Sequence, residues 1–436
     1  MKQAMLSALP LLLTGLYFWT PAAAADTAAL EQRIAELEAQ MQQLAGQLAA
    51  ARANPPAVPV EELDVLKVIE KTRGDGFRVG DTAIRVGGFV DLDTHFTELS
   101  DGAIAPNSIA RDFYIPSATP IGGDGTTASD VTAEATRLFF GAEHLGGNEK
   151  VSAYVEMDFL GSFQGNQRVS SSFAPRLRLG YLDIGAWRLG QDWSTFQNTS
   201  AIPESASFLI SSDGMIFERQ ALIRYTRGPW QFALENAATT VAQPDGSSME
   251  ADTSEIPDLV ARYNFKGDYG NVSVAALVRQ LRMDTASGAN ESEELGWGLS
   301  TSGRVQLGPN DQLRFNLATG SGIGRYIGLN AINGALMDPV DGDLSSIDST
   351  GGLLNWRHVF GNGYRLNLGY SGLFANYDQS PTTPLTESVQ SFYTALLWNS
   401  APKVTIGVEA LFGRRELTNG DEGDITRFTF STKYSF

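Results

Sequence analysis

The chain has 436 residues, of which 42% are hydrophobic and 10% aromatic, with 45 glycines, no cysteine and a formal charge of -18. Absence of cysteine excludes disulfide staples and thiolate metal sites. The acidic balance excludes nucleic acid as a partner, because phosphate recognition needs the opposite sign, and a mean hydropathy of -0.13 suits either a soluble protein or a barrel whose two faces cancel.

The amino terminus reads as a secretory signal over residues 1–25. Met1 and Lys2 precede an apolar run from Ala4 to Trp19, then Pro21 and four alanines ahead of Asp26. At about sixteen residues the run is too short for a spanning helix, and no later segment offers the roughly 20 apolar residues one needs. If the protein lives in a membrane, strands must do the spanning.

Residues 26–53 have helical character. Leu30, Ile34, Leu37, Met41, Leu44 and Leu48 recur at alternating steps of four and three, with Glu, Gln and Arg between them. That is a heptad seam, predicting a self-associating coiled coil; a lone amphipathic helix lying on a barrel or membrane is the alternative. The seam residues do not fix the number of helices. Over residues 54–81, Asn54-Pro55-Pro56 and Pro59 end the helix and stiffen a linker. Leu63, Leu66 and Ile69 predict a further helical turn before Gly74-Asp75-Gly76 breaks it.

From residue 82 to 436 the chain reads as strand, turn, strand, loop. In the first strand, Ala83 to Phe96, Ile84, Val86, Gly88, Val90 and Leu92 share one face, and Arg85, Gly87, Asp91, Asp93 and His95 the other. Short connections with turn chemistry alternate with long ones. The short ones are Gly146-Gly147-Asn148, Asp183 to Ala186, Gly228-Pro229, Gly267 to Asn271, Gly308 to Asp311, Gly361-Asn362-Gly363 and Ser400-Ala401-Pro402. This pattern predicts an all-β fold: a transmembrane antiparallel β-barrel of about sixteen strands with its short turns periplasmic and an N-terminal periplasmic coiled-coil helix. The last strand fits. Phe428, Phe430, Thr432, Tyr434 and Phe436 fall on one side, Arg427, Thr429, Ser431, Lys433 and Ser435 on the other, so one face suits lipid and one suits water. An edge strand of a soluble sandwich is the alternative, but so aromatic a face would invite aggregation.

Arg137-Leu138-Phe139-Phe140-Gly141, followed by Glu143-His144-Leu145-Gly146, is similar to the second hairpin of general trimeric porins. The segments RLRLGYLDIGAWRLGQDWSTF (176–196) and IFERQALIRYT (216–226) resemble the DcaP-like porins of Gram-negative outer membranes, as does the order of signal, coiled coil, linker and barrel. The resemblance implies a homotrimer, with its coiled coil in the periplasm, and a channel favouring small anions such as dicarboxylates.

The residues bear on that cargo independently. The basic side chains number 25 Arg and 7 Lys, a skew toward planar, permanently charged donors that grip carboxylates. If the apolar alternates face lipid, then Arg85, Arg137, Arg176, Arg178, Arg188, Arg224, Arg262, Arg279, Arg304, Arg314, Arg365 and Arg427 point into the lumen. Acidic residues crowd the long connections instead: Asp245, Glu250, Asp252, Glu255 and Asp258; Asp284, Glu291, Glu293 and Glu294; Asp338, Asp341, Asp343 and Asp348; Asp421, Glu422 and Asp424. There they could hold the divalent cations around lipopolysaccharide. The alternative for the arginines is bracing, each paired with Asp91, Asp93, Glu156, Asp158, Asp192 or Glu409 on a neighbouring strand.

The third long connection, about residues 194–217, is apolar for a surface loop, with Ile202, Pro203, Phe208, Leu209, Ile210, Met215 and Ile216. That favours burial over exposure. In the porins it resembles, this loop folds into the barrel, which implies a constriction between Glu204 and Asp213 on the loop and a basic wall including Arg219 and Arg224. An ordinary extracellular loop is the alternative. Catalysis has little support: the chain has three histidines, and His144 and His358 alternate with the lipid-side set, so no catalytic, cofactor or metal site is expected. The aromatics Phe89, Tyr154 and Phe392 are candidates to point inward, but they look scattered rather than arranged as a sugar slide. The expected function is passive diffusion of small, preferably anionic, solutes. Alternatives are a weakly selective general porin and, in a different class, an envelope tether acting through the coiled coil.

Overall fold

The computed structural model describes residues 33, 36, 39, 42, 43, 69–71, 76–144, 146, 149–161, 169–251, 253–284 and 291–436. Residues 33, 36, 39, 42 and 43 are helical. The seam residues Leu30, Ile34, Leu37, Met41, Leu44 and Leu48 lie outside the described set, as does the signal.

The barrel strands are β1 (Thr82–Leu99), β2 (Thr126–Thr132 and Arg137–His144, interrupted at 133–136), β3 (Val151–Asp158), β4 (Arg176–Ile184), β5 (Trp187–Trp193), β6 (Arg219–Arg227), β7 (Trp230–Glu235) and β8 (Asp258–Gly267). They continue as β9 (Gly270–Asp284), β10 (Glu291–Gln306), β11 (Asp311–Ser321), β12 (Asp348–Val359), β13 (Arg365–Asn376), β14 (Thr386–Ala401), β15 (Val404–Leu417) and β16 (Glu422–Ser435). Each pairs antiparallel with the next, and β16 pairs with β1 from Ile425↔Leu99 to Ser435↔Phe89. The result is a closed barrel of 16 strands. Closure matters because lipid offers an open edge nothing to bond with. The β1–β2 pairing is tight at Gly88, where an added Cβ would lie 2.1 Å from the Arg137 carbonyl oxygen.

Period-two alternation sorts the side chains between two solvents. Val86, Val90, Leu92 and Phe96 on β1, and Phe428, Phe430 and Tyr434 on β16, are exposed outward, while Asp91, Asp93, His95, Arg427, Thr429 and Ser431 are buried inward. Aromatic pairs gather at the short-turn ends: Trp187 with Tyr225, Trp230 with Tyr263, and Tyr364 with Trp398, their ring centroids 4.8, 4.7 and 5.5 Å apart. Such rings suit the membrane–water interface. Phe392 belongs to this outer face and is exposed, so the expectation of an inward ring fails there; it faces out because Tyr393, its neighbour, takes the inward position.

Two further differences from the sequence reading concern local pairing. Ile69–Lys71 is a strand, so Ile69 does not end a helical turn; the strand pairs with Gly76–Val79, which in turn pairs with Thr82–Arg85 at the foot of β1. Several acidic residues assigned to long connections, Asp258, Glu293, Glu294, Asp348, Glu422 and Asp424, extend the strands instead. Strand pairing runs past the point where apolar alternation ceases, because backbone hydrogen bonds do not need lipid.

Among the described residues, the long connections L1 (100–125), L3 (194–218) and L6 (322–347) bear on the lumen. Part of L6 (Ala335–Met337 and Leu344–Ser346) forms a four-stranded sheet with Thr239–Ala242 and Ser248–Ala251. That sheet packs on Leu281 and Met283.

Candidate functional site

L3 lies within the bore. Its hydrogen bonds go to inward-facing groups on successive strands. Asn198 donates to Ser273 Oγ (β9) at 3.0 Å and to the Ser302 carbonyl (β10) at 3.2 Å; Arg314 (β11) donates to the Ile202 carbonyl. Glu204 accepts from Arg357 (β12) at 2.9 Å and Arg365 (β13) at 3.0 Å. The Gly214 amide donates to Ser371 Oγ (β13) at 2.8 Å, and its carbonyl accepts from Asn316 (β11) at 2.6 Å. At Gly214 the loop touches the wall backbone to backbone: an added Cβ would sit 2.2 to 2.3 Å from the Gly352 amide nitrogen and carbonyl oxygen and the Gly372 carbonyl oxygen.

The loop's apolar residues explain this placement. Ile210 packs with Leu99, Tyr114 and Tyr393, while Leu209 and Met215 pack with Phe113, Leu160 and Leu353. Together they form a core inside the barrel that the loop alone could not hold.

Beside this core is a basic wall. Arg176 donates to both oxygens of Asp158 at 3.0 and 2.9 Å. Arg178 donates to Glu156 at 2.7 Å and to Asp158 at 2.9 Å, and Arg137 lies 3.5 Å from Glu156. A bulge between Glu156 and Met157 in the β3–β4 pairing lets Arg176 and Arg178 converge on the same carboxylate. Phe208 of L3 reaches this group: its ring lies 5.7, 6.0 and 5.1 Å from the guanidinium carbons of Arg137, Arg176 and Arg178, distances at which a cation is attracted to a π face.

Arg219 joins them without an acid of its own. Among the described residues it forms no ion pair; one of its buried nitrogens has no hydrogen-bond partner, and its guanidinium lies over Trp193 and Phe217 at 5.1 and 5.4 Å. It sits within the electrostatic reach of Arg178, Arg176 and Arg137. A cavity of about 400 Å³ is lined by Arg176, Arg219, Arg325, Glu218, Phe208 and Phe217 among others. Arg325 and Glu218 approach to 3.4 Å. Burial pushes the Glu218 carboxyl up to about 7, with Arg325 and Arg219 pulling the other way.

The remaining arginines divide. Arg188 bridges Asp183 at 2.7 Å and Asp192 at 2.8 Å, and Arg224 shares Asp192 at 2.8 Å. Arg262 donates to the Gln197 carbonyl and Gln231, so it steadies the root of L3. Arg279, fully buried beside Asp258 at 3.4 Å, bonds the Gly322 and Ala238 carbonyls and does not line the opening. Arg427 is held by Thr97 and the Ala110 carbonyl of L1. Arg304 is exposed, directly across from Arg314.

Two expectations about the loop acids need correction. Asp213 does not face the opening: it is fully buried and accepts from Tyr114 Oη of L1 at 2.7 Å and from Ser391 of β14. Burial pushes its carboxyl up to about 6, against those two hydroxyls. Glu204 answers Arg357 and Arg365 rather than Arg219 and Arg224, because L3 crosses the bore to the β12–β13 side. Nor are the inward aromatics scattered. Phe139, Tyr154 and Tyr181 stack at 5.8 and 5.4 Å, and Arg188 covers Tyr181 at 3.7 Å. Their faces are thereby occupied by one another, which suits bracing rather than a slide.

An outside made for lipid, an inside lined with ionised side chains and a loop lodged in the bore define a class, the outer-membrane diffusion channels. Within it, the chain belongs to the DcaP outer membrane protein family, whose model matches residues 20–436. Its fold is similar to that in the crystal structure of the outer membrane channel DcaP of Acinetobacter baumannii, at 20% identity and a TM-score of 0.67, over 81% of this chain and 97% of that one. It is also similar to Salmonella typhi OmpF in its complex with daunomycin, at 9% identity and a TM-score of 0.50, over 82% and 98% of the two chains. No curated protein matches the chain.

Proposed function

We propose that this outer-membrane porin passes small hydrophilic solutes by passive diffusion and favours anions such as dicarboxylates, with L3 and the β2–β4 wall forming the selective aperture. One observation carries the reading: at that aperture, among the described residues, the ion pairs of the four guanidiniums of Arg137, Arg176, Arg178 and Arg219 involve two carboxylates, Glu156 and Asp158, and Arg219 has none. An anion drawn into this excess exchanges hydration water for guanidinium contacts and leaves again because Arg137, Arg176 and Arg178 are already engaged by carboxylates. The acidic charge stays at the rim, where Arg282 and Arg414 gather Glu255, Asp284 and Glu293, and Glu422 and Asp424. Those outer carboxylates are suited to divalent cations bridging lipopolysaccharide.

The ion pairs of Arg176 and Arg178 favour a second reading, a weakly selective general porin in which the wall is braced and nearly neutral. Reversal potential in a salt gradient across a planar bilayer decides between them. An anion-selective potential that falls when Arg176→Ala is combined with Arg178→Ala supports the first; cation selectivity, or no change in the double variant, defeats it. Negligible conductance in full-length and helix-deleted protein alike would defeat both and leave the envelope tether.

The heptad seam supports self-association through a periplasmic coiled coil, and the resemblance of segments 176–196 and 216–226 to trimeric porins supports a count of three. Native mass measurement with and without residues 26–60 tests this: loss of the trimer on truncation assigns assembly to the helix, and its persistence assigns it to the barrel.

A further inference from the structure

L3 begins and turns on two buried carboxylates of the wall. At its root the Thr195 amide donates to Glu235 of β7 at 2.6 Å, and Glu235 is itself held by Gln220 at 2.6 Å. At its tip, Glu409 of β15 accepts from the Ala206 amide at 2.8 Å, the Ser207 amide at 3.4 Å and Ser207 Oγ at 2.8 Å. Glu409 is only 7% exposed. Beside it, Gly407 leaves the space that Ala206 fills: an added Cβ there would lie 2.7 Å from the Ala206 Cβ. The next residue along the loop is Phe208, whose ring meets Arg137, Arg176 and Arg178.

From this chain of contacts we infer that Glu409 is the positioning residue of the pore: by clamping Ala206 and Ser207 to β15 it fixes the distance between Phe208 and the arginine wall. The inference rests on the proposal that L3 and this wall form the aperture, and it goes further in making the aperture width a fixed property set from β15, a strand outside that wall. Three features exclude an incidental contact. The carboxylate takes three donors from two consecutive loop residues, a geometry that fixes direction as well as distance. A buried carboxylate without those donors would be strongly disfavoured. Finally, Asp213 and Gly214 anchor the return limb against β11–β14, so the tip is the part of L3 whose seat depends on Glu409.

The test is single-channel recording on the full chain in planar bilayers. Glu409→Ala removes the acceptor and should make excursions of the tip about tenfold more frequent, the change in population expected for losing roughly one such hydrogen-bonded seat. These appear as excess open-channel noise and brief substates. Glu409→Gln keeps an acceptor for the Ala206 amide and should restore quiet openings, which a purely electrostatic role would not allow. Ser207→Ala lies on the loop and spares the wall, so it reads out the clamp even if Glu409→Ala fails to fold; its noise should be intermediate. The inference is overturned if Ser207→Ala and folded Glu409→Ala are as quiet as the parent, or if Glu409→Gln is as noisy as Glu409→Ala. A failure of the anion proposal would show separately, in the reversal potential of the parent channel.

Discussion

The Arg178 guanidinium lies 2.9 Å from the Asp158 carboxylate, with the two side chains 3% and 0% exposed. A pair so placed is a structural member of the wall before it is anything else. Removing one partner leaves the other's charge in a place water cannot reach, which costs about 3 kcal/mol or more. Arg178→Ala should therefore lower the urea midpoint of the barrel in micelles, followed by tryptophan fluorescence. An unchanged midpoint would show that Asp158 is satisfied by Arg176 alone.

Arg219 has the opposite character. With no ion pair to lose, Arg219→Gln should leave the urea midpoint near that of the parent but weaken anion preference. A unit charge at ~5 Å from a passing ion is worth about 0.8 kcal/mol even in the dielectric of water, or roughly fourfold in occupancy. The reversal potential should move toward zero by a corresponding amount. A parent-like potential would mean that permeating ions do not pass Arg219.

Glu218 gives the aperture a dependence on pH. Burial raises its carboxyl to about 7, so it is charged above that pH and neutral below. Falling pH removes one negative charge from the cavity it shares with Arg176, Arg219 and Arg325. Anion preference should thus strengthen as pH falls through about 7, and Glu218→Gln should abolish the trend while holding the high-preference value. A parent channel equally selective on both sides of this range would place Glu218 outside the ion path.

Gly214 tests the seat of the return limb. A side chain there meets the backbone of Gly352 and Gly372, which cannot yield without breaking the β12–β13 ladder. Gly214→Val should push L3 off the wall toward the axis and reduce single-channel conductance, with the barrel migrating on gels as the parent does before and after heating. Unchanged conductance would show that the loop can re-seat elsewhere.

Much of this architecture could be read from alternation alone. Each strand carries its own two-residue period, so the inward set from Arg85 to Arg427 and the outward set from Val86 to Tyr434 follow from local sequence. The pairings across the bore do not. Glu409 meets Ser207, and Asp213 meets Tyr114 and Ser391, at sequence separations no local pattern encodes. A loop's composition says that it is buried, but not which side faces the wall, and that is why Asp213 reads as a pore residue and proves to be an anchor. Bulges add a second source of error: the register shift after Glu156 changes which side chains converge, and a strict count of two does not foresee it. Gly214, Gly352 and Gly372 were visible as glycines; that they meet is a property of the fold.

Strand alternation also bears on how the chain reaches its membrane. A polypeptide destined for lipid must first cross another bilayer without stopping in it. Each outward-facing Phe or Leu of β1 or β16 is followed by a polar or charged residue bound for the lumen, so no stretch of these strands accumulates the roughly 20 apolar residues that would halt export. The arrangement that makes the finished wall greasy on one side therefore keeps the unfolded chain translocatable, and the lipid-compatible surface comes into being only when the strands pair.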